Sequence, residues 1–244
     1  MDKADHAQKS RALSAAHVLK SLENWGFKVA DKVERLMRAT DAVCTLPLKQ
    51  GFTHPNPRDL TFDYRAFTSF FTLDAIADIG LSEHLGFLDQ GHDRVKAEQM
   101  DGTIHEGELV AEIYIMMNAG SDTTAIAMNN VMYWLLENPN CMANLREEVD
   151  TVLEPDEIVA SYDKVKHLPY LRACLDESLR ITPPTTFGRP RRTPPEGWNI
   201  LGDYIPGDTT VSTSAYITHR DPQVFPKPES YAPERWLGEK GKDL

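Results

Sequence analysis

Apolar residues recur at three- and four-residue steps over the first part of the chain, from about Asp5 to Val43. Leu13, Val18, Leu19 and Leu22, then Val29, Val33, Leu36 and Met37, predict amphipathic helices there. His54-Pro55-Asn56-Pro57 cannot continue a helix and predicts loop from Gly51 to Asp59. Phe62 to Leu81 carries so little polar surface (Phe67, Phe70, Phe71, Ile76, Ile79) that it predicts a buried helix. Gly86 to Gly107 is short, charged and broken by glycines, which fits a linker. A single helical pattern then runs from Glu108 to Glu137, roughly 45 Å if unbroken at about 1.5 Å per residue. Asn138-Pro139 predicts a capped restart, and Pro169 opens a further helix that must stop at Pro183-Pro184. Thr193 to Tyr216 alternates β-formers with turns, Pro206-Gly207 fitting a type II turn. His219 to Leu244 is proline-rich loop. The fold class expected is mainly α with a small late β-sheet. Its blocks are an early helical part at 1–88, a linker or splice junction at 89–107, and residues 108–244, together one incomplete domain.

Composition narrows the function. The 244 residues carry 26 basic and 37 acidic side chains, a formal charge of −11, which argues against nucleic-acid binding. Cys44, Cys141 and Cys174 form no CxxC and no even framework, so a zinc finger or secreted disulfide scaffold is not expected. The charged N-terminus is unlike a signal peptide, and no apolar run is long enough to span a bilayer, so no membrane span is expected.

Three segments carry chemistry. In Ala119-Gly120-Ser121-Asp122-Thr123-Thr124, glycine weakens a helix interior, and threonine hydroxyls can turn back onto the carbonyls of Ala119 and Gly120 and bend it. The result is a groove bearing an acid and a hydroxyl, suited to holding a small molecule and passing it protons. The plainer alternative is a helix start capped by Asp122 or Thr123. Glu177 and Arg180 stand three apart on one helix face and can pair. Pro233-Glu234-Arg235-Trp236 follows His219-Arg220-Asp221-Pro222 in a proline-rich stretch whose plain reading is a solvated loop.

In this order and spacing, the AGxDTT helix, the ExxR helix, the small sheet and the HRDP…PERW loop resemble the cytochrome P-450 family of heme-thiolate monooxygenases. The apolar approach to the kink is similar to that of fungal members. The resemblance implies a heme cofactor, a small apolar substrate and a flavoprotein reductase as electron donor. It places Thr123 at the hydroxyl that helps hold dioxygen and Asp122 at the acid of the proton relay, with Ala119 and Gly120 forming the groove. Glu177, Arg180 and Arg235 match a structural network that braces the heme-side core. Arg189 or Arg191 falls where a basic residue meets a heme propionate, and the sequence leaves both open. Ser10, flanked by Lys9 and Arg11, stands near another propionate-binding position.

The sequence also departs from the family. The axial cysteine is expected in a Phe- and Gly-rich loop downstream of PERW, and no such loop lies between Trp236 and Leu244. None of the three cysteines is followed by the glycine that such a ligand needs, so no metal ligand is assigned. The expectation is therefore a truncated member, inactive as it stands, or alternatively a non-catalytic fragment that is unfolded or serves as an interaction module. Missing segments would leave apolar surface on the Phe62–Leu81 and Glu108–Glu137 helices. Family members are often anchored in the endoplasmic reticulum; this chain, lacking an anchor, is expected to be cytoplasmic or of unreadable location. A non-heme metal hydrolase using His105, Glu106 and Glu108 lacks a second histidine at helical spacing.

Overall fold

The computed structural model describes residues 25–49, 61–81, 84–90, 106–155, 157 and 159–238. The predicted helices before Trp25, the Gly51–Asp59 loop, Lys9, Ser10, Arg11 and His105 lie outside these residues. The elements are α1 (Gly26–Lys49), α2 (Tyr64–Leu81), α3 (Phe87–Gln90), α4 (Glu106–Glu137), α5 (Pro139–Asp150), α6 (Tyr162–Val165) and α7 (Pro169–Ile181), then four short strands and α8 (Ala215–Thr218). The strands are β1 (Arg191–Arg192), β2 (Trp198–Ile200), β3 (Asp203–Ile205) and β4 (Thr210–Val211). Pro233–Trp236 forms one 3-10 turn. The chain divides into two compact units, Met1–Ala125 with Val152–Lys166, and Ile126–Thr151 with His167–Leu244.

In the first unit α1 and α3 pack on α2. Lys32 of α1 is 2% exposed, yet its ammonium is satisfied by Asp31 and Asp78, each at 2.8 Å. Lys28 adds a second cation 3.0 Å from Asp78. Burial pushes the Asp78 carboxyl up, but Lys32 and Lys28 outweigh it and hold it below the usual carboxylate range. Buried Asp74 accepts the N–H groups of Phe87 (3.1 Å) and Leu88 (2.9 Å), fixing the start of α3. Phe70 stacks on Phe87 at 6.4 Å. Among the described side chains of α2 no large hydrophobic one is exposed, so the exposed apolar surface expected there is not found on them; α1 and α3 pack against this helix. On α4, by contrast, Tyr133 and Leu136 are exposed, as expected.

In the second unit α5 and the 3-10 turn pack on α7. Glu148 of α5 accepts the N–H groups of Tyr170 and Leu171, each at 2.7 Å, and so caps the first turn of α7 in place of a local residue. The restart at Pro139 occurs, but the Asn138 side chain does not cap it. Its amide donates back to the Trp134 carbonyl at 2.8 Å, because that carbonyl is free at the end of α4. Thr182, just past α7, receives Asn130 at its carbonyl (2.9 Å) and the Trp134 indole at its hydroxyl (3.1 Å).

The late β-structure consists of two separate antiparallel pairs, β1 with β4 and β2 with β3. The β2–β3 turn places Leu201 (φ 53°) and Gly202 (φ 99°) in the left-handed region. The type II turn expected at Pro206-Gly207 is not formed, since the positive φ falls on Asp208 (59°). Gly207 is needed for a different reason: a Cβ there would lie 1.9 Å from the Pro195 carbonyl oxygen. Among the described residues no helix is long and apolar enough to cross a membrane.

Candidate functional site

The AGxDTT segment lies within an unbroken α4, so the alternative of a helix start capped by Asp122 or Thr123 is corrected: the backbone ladder continues through it. Thr123 Oγ1 donates to the Ala119 carbonyl at 2.7 Å, and Ser121 Oγ donates to that of Met117 at 2.5 Å. These back-bonds satisfy the hydroxyls without interrupting the helix. Ser121 and Ala125, four apart on one face of the helix, are buried, while Ala119, Asp122 and Thr123 are exposed. Gly120 is half-buried, and a Cβ on it would come 2.7 Å from Ile76 Cδ1, so this glycine serves close approach to α2. The helix thus offers a carboxylate, a hydroxyl and a methyl group on one face at spacings of three and four residues.

The second unit holds a buried ionic cluster. Glu177 of α7 has no solvent exposure. Its Oε1 accepts from Arg180 Nη2 (2.9 Å), Arg235 Nε (3.0 Å) and the backbone N–H of Ala232 (2.9 Å). Its Oε2 accepts from Arg180 Nε (2.8 Å) and the indole N–H of Trp236 (2.9 Å). Burial pushes the Glu177 carboxyl up; Arg180, the Ala232 amide and Trp236 outweigh it and leave the group below the usual carboxylate range. The remaining guanidinium hydrogens go to carbonyls, Arg180 to His219 (2.8 Å) and Arg235 to Pro226 (3.1 Å). His219 Nδ1 lies 3.2 Å from the Arg180 carbonyl oxygen and must carry the proton of that bond. Arg220 donates to the Ile181 carbonyl at 2.7 Å, satisfying the end of α7, and stacks on Tyr216 at 3.8 Å.

Spacing along α7 is enough to pair Glu177 with Arg180. The involvement of Ala232, Trp236, His219 and Arg220 has no local signal, because each partner lies tens of residues away in sequence.

Arg189 borders a cavity of about 350 Å3 lined also by Thr185, Phe187, Gly188, Thr213, Ala215, Thr218 and His219. Arg191 is exposed in β1, and its guanidinium donates to the Pro190 carbonyl at 3.0 Å. Cys174 is fully buried in α7, and burial pushes its thiol up to about 11. Cys141 is half-buried against Leu135, Tyr170 and Cys174, and half-buried Cys44 lies in α1. No three His, Cys, Asp or Glu side chains gather as a metal site among the described residues.

The profile of the cytochrome P450 family matches residues 78–244, and the chain belongs to that family. It is 41% identical over 132 residues to cytochrome P450 monooxygenase BOT1 of Botryotinia fuckeliana, covering 54% of this chain and 26% of that protein. It is 38% identical over 136 residues to cytochrome P450 monooxygenase penB of Penicillium thymicola (56% and 31%). The trichothecene C-4 hydroxylase of Trichoderma arundinaceum is 35% identical over 135 residues (55% and 27%). The matched stretch thus spans about a quarter to a third of these relatives. The heme domain of a cytochrome P450DA mutant superposes with a TM-score of 0.77 at 17% identity, over 95% of this chain and 60% of that one, a likeness of fold. The family implies a heme cofactor.

Proposed function

We propose that the protein is a heme-dependent monooxygenase of fungal type, inserting one oxygen atom of dioxygen into an apolar organic substrate with electrons from a flavoprotein reductase. The observation that carries this reading is Glu177, an unexposed carboxylate held at once by Arg180 and by Arg235, 58 residues further on. When bound, the heme supplies the redox chemistry of oxygen activation. The residues of this chain bind, orient and move protons around it. Thr123 Oγ1 now gives its proton to the Ala119 carbonyl; a rotation about χ1 frees that proton for a ligand beside α4. Asp122, exposed one residue away, is the acid that replenishes it. Ala119 supplies a small side chain on the same face, and Gly120 lets α2 approach behind it. Of the two arginines left open by the sequence, Arg189 is favoured for a propionate because it borders a cavity, whereas Arg191 is tied to its own neighbour.

In this reading Arg189 offers a charge to the porphyrin's acidic edge, and Asp122 and Thr123 offer an acid and a hydroxyl to its oxygen-binding side. The axial ligand is a different matter, because Cys174 is sealed in α7 with its thiol held protonated. A second reading, in which these 244 residues act without catalysis, turns on whether any of their cysteines can serve as that ligand.

Titration of the chain with hemin, followed at the Soret band, tests both. Arg189→Ala is expected to weaken binding about tenfold, the worth of one charge-assisted bond, with Arg191→Ala unchanged. A chain that leaves the spectrum of free hemin unaltered overturns the porphyrin reading. After reduction under carbon monoxide, the red-shifted Soret band of thiolate-ligated iron would support the catalytic reading, and its absence the non-catalytic one.

A further inference from the structure

We propose that Trp236 is a positioning residue of the Glu177 cluster, acting through its indole N–H and not through ring bulk. The motif residues Glu177, Arg180 and Arg235 account for three of the five bonds to the carboxylate. The other two come from the Ala232 amide and Trp236. The two oxygens are not equally served. Oε1 has three donors, while Oε2 has only Arg180 Nε at 2.8 Å and Trp236 Nε1 at 2.9 Å. With no solvent contact at Glu177, loss of the indole N–H leaves Oε2 with a single donor and no water to replace the other.

Charge balance gives a second reason for an indole here. One carboxylate already faces two guanidiniums, Arg180 from α7 and Arg235 from the 3-10 turn. The next charged or titratable groups outward are His219 and Arg220, which follow α8 and bond to the last carbonyls of α7, with Glu229 paired to Arg220 and Glu234 bonded to the Tyr170 hydroxyl. A further cation at position 236 would add repulsion. A neutral donor adds a bond without adding charge. The ring packs against Phe225, 6.1 Å away and tilted by 45°, over whose face Arg180 also lies at 5.1 Å. Trp236 therefore ties the 3-10 turn to the ExxR helix, whether or not a porphyrin is bound.

The test is acid unfolding of the full chain, followed by far-UV circular dichroism. Two variants are compared with the parent: Trp236→Phe, and the chain with benzothienylalanine at 236, which keeps the shape of the ring but has sulfur in place of N–H. Loss of one donor weakens the preference for ionised Glu177, so the folded state begins to take up protons at higher pH. Both variants are expected to move the acid midpoint upward by about half a pH unit or more. In a Glu177→Gln background, the same replacements should leave the midpoint where that background sets it. If the isostere keeps the parent midpoint, the proposal is overturned and ring packing alone explains Trp236, even if Trp236→Phe shifts it. If Trp236→Phe does not fold, the isostere decides. Failure of the isostere to fold at neutral pH, given its unchanged shape, supports a role for the N–H.

Discussion

A carboxylate without solvent contact stays ionised only if its donors outweigh the lost hydration. Glu177 meets that condition with five bonds, two of them from one guanidinium in a bidentate fork. Glu177→Gln keeps the size of the side chain but leaves two guanidiniums facing an amide. It is expected to cost about 3–5 kcal/mol, as breaking a buried ion pair does, measured by urea unfolding at pH 7. Arg235→Lys keeps the charge but loses the bonds to Pro226 and Ser230, and should cost about 1–2 kcal/mol. An Arg235→Lys cost indistinguishable from zero would mean that geometry contributes nothing beyond charge. At this scale the sequence is legible only where partners are local. Glu177 and Arg180 pair at i,i+3, whereas Arg235 reaches the cluster through the family resemblance and Trp236 through neither route.

Helices are legible because their signal is local and periodic. The expected stretch Phe62–Leu81 is observed as Tyr64–Leu81, and Glu108–Glu137 as Glu106–Glu137. The β-structure is less so, because strands of two or three residues are set by turns and by close backbone approaches. Gly207 shows the difficulty: its neighbour Pro206 suggests a positive φ, but the constraint is contact with Pro195. Two other glycines make this testable. A Cβ at Gly188 would sit 1.9 Å from the Thr213 carbonyl oxygen, which is backbone and cannot move aside. A Cβ at Gly120 would meet the flexible end of Ile76 at 2.7 Å, in a helix where alanine gains about 1 kcal/mol over glycine. Gly188→Ala should therefore lower thermal stability clearly, by about 2 kcal/mol or more, while Gly120→Ala stays within about 1 kcal/mol of the parent. Calorimetry on the two variants checks the ordering, and the reverse order would show that α2 cannot yield at Ile76.

For the whole molecule, each unit carries its own buried ionic cluster, Lys28 and Lys32 with Asp78 in one and Glu177 with its arginines in the other. Both acids have folded-state pKa values lowered below their ordinary ones. Their contributions are complete above the unfolded carboxylate range and are lost as pH falls through the folded values. Lys32 works in the opposite sense. Burial pulls its pKa down, but Asp31 and Asp78 outweigh this and raise it, so its contribution is present below the ordinary lysine value and lost only as pH rises through the raised one. Urea unfolding measured across pH should therefore give a plateau from about pH 5 to pH 9, with a steep loss below about pH 4. Asp78→Asn should flatten part of that acid slope, because the group that titrates is gone, while lowering the plateau by about 3 kcal/mol, because buried Lys32 is left with Asp31 as its one carboxylate and Lys28 loses its carboxylate partner. Because Lys32 and Asp78 are shielded from solvent, the plateau should change little between low and moderate salt. A plateau that falls markedly with added salt would instead assign the stabilisation to exposed pairs such as Arg38 with Glu34, which screening weakens first.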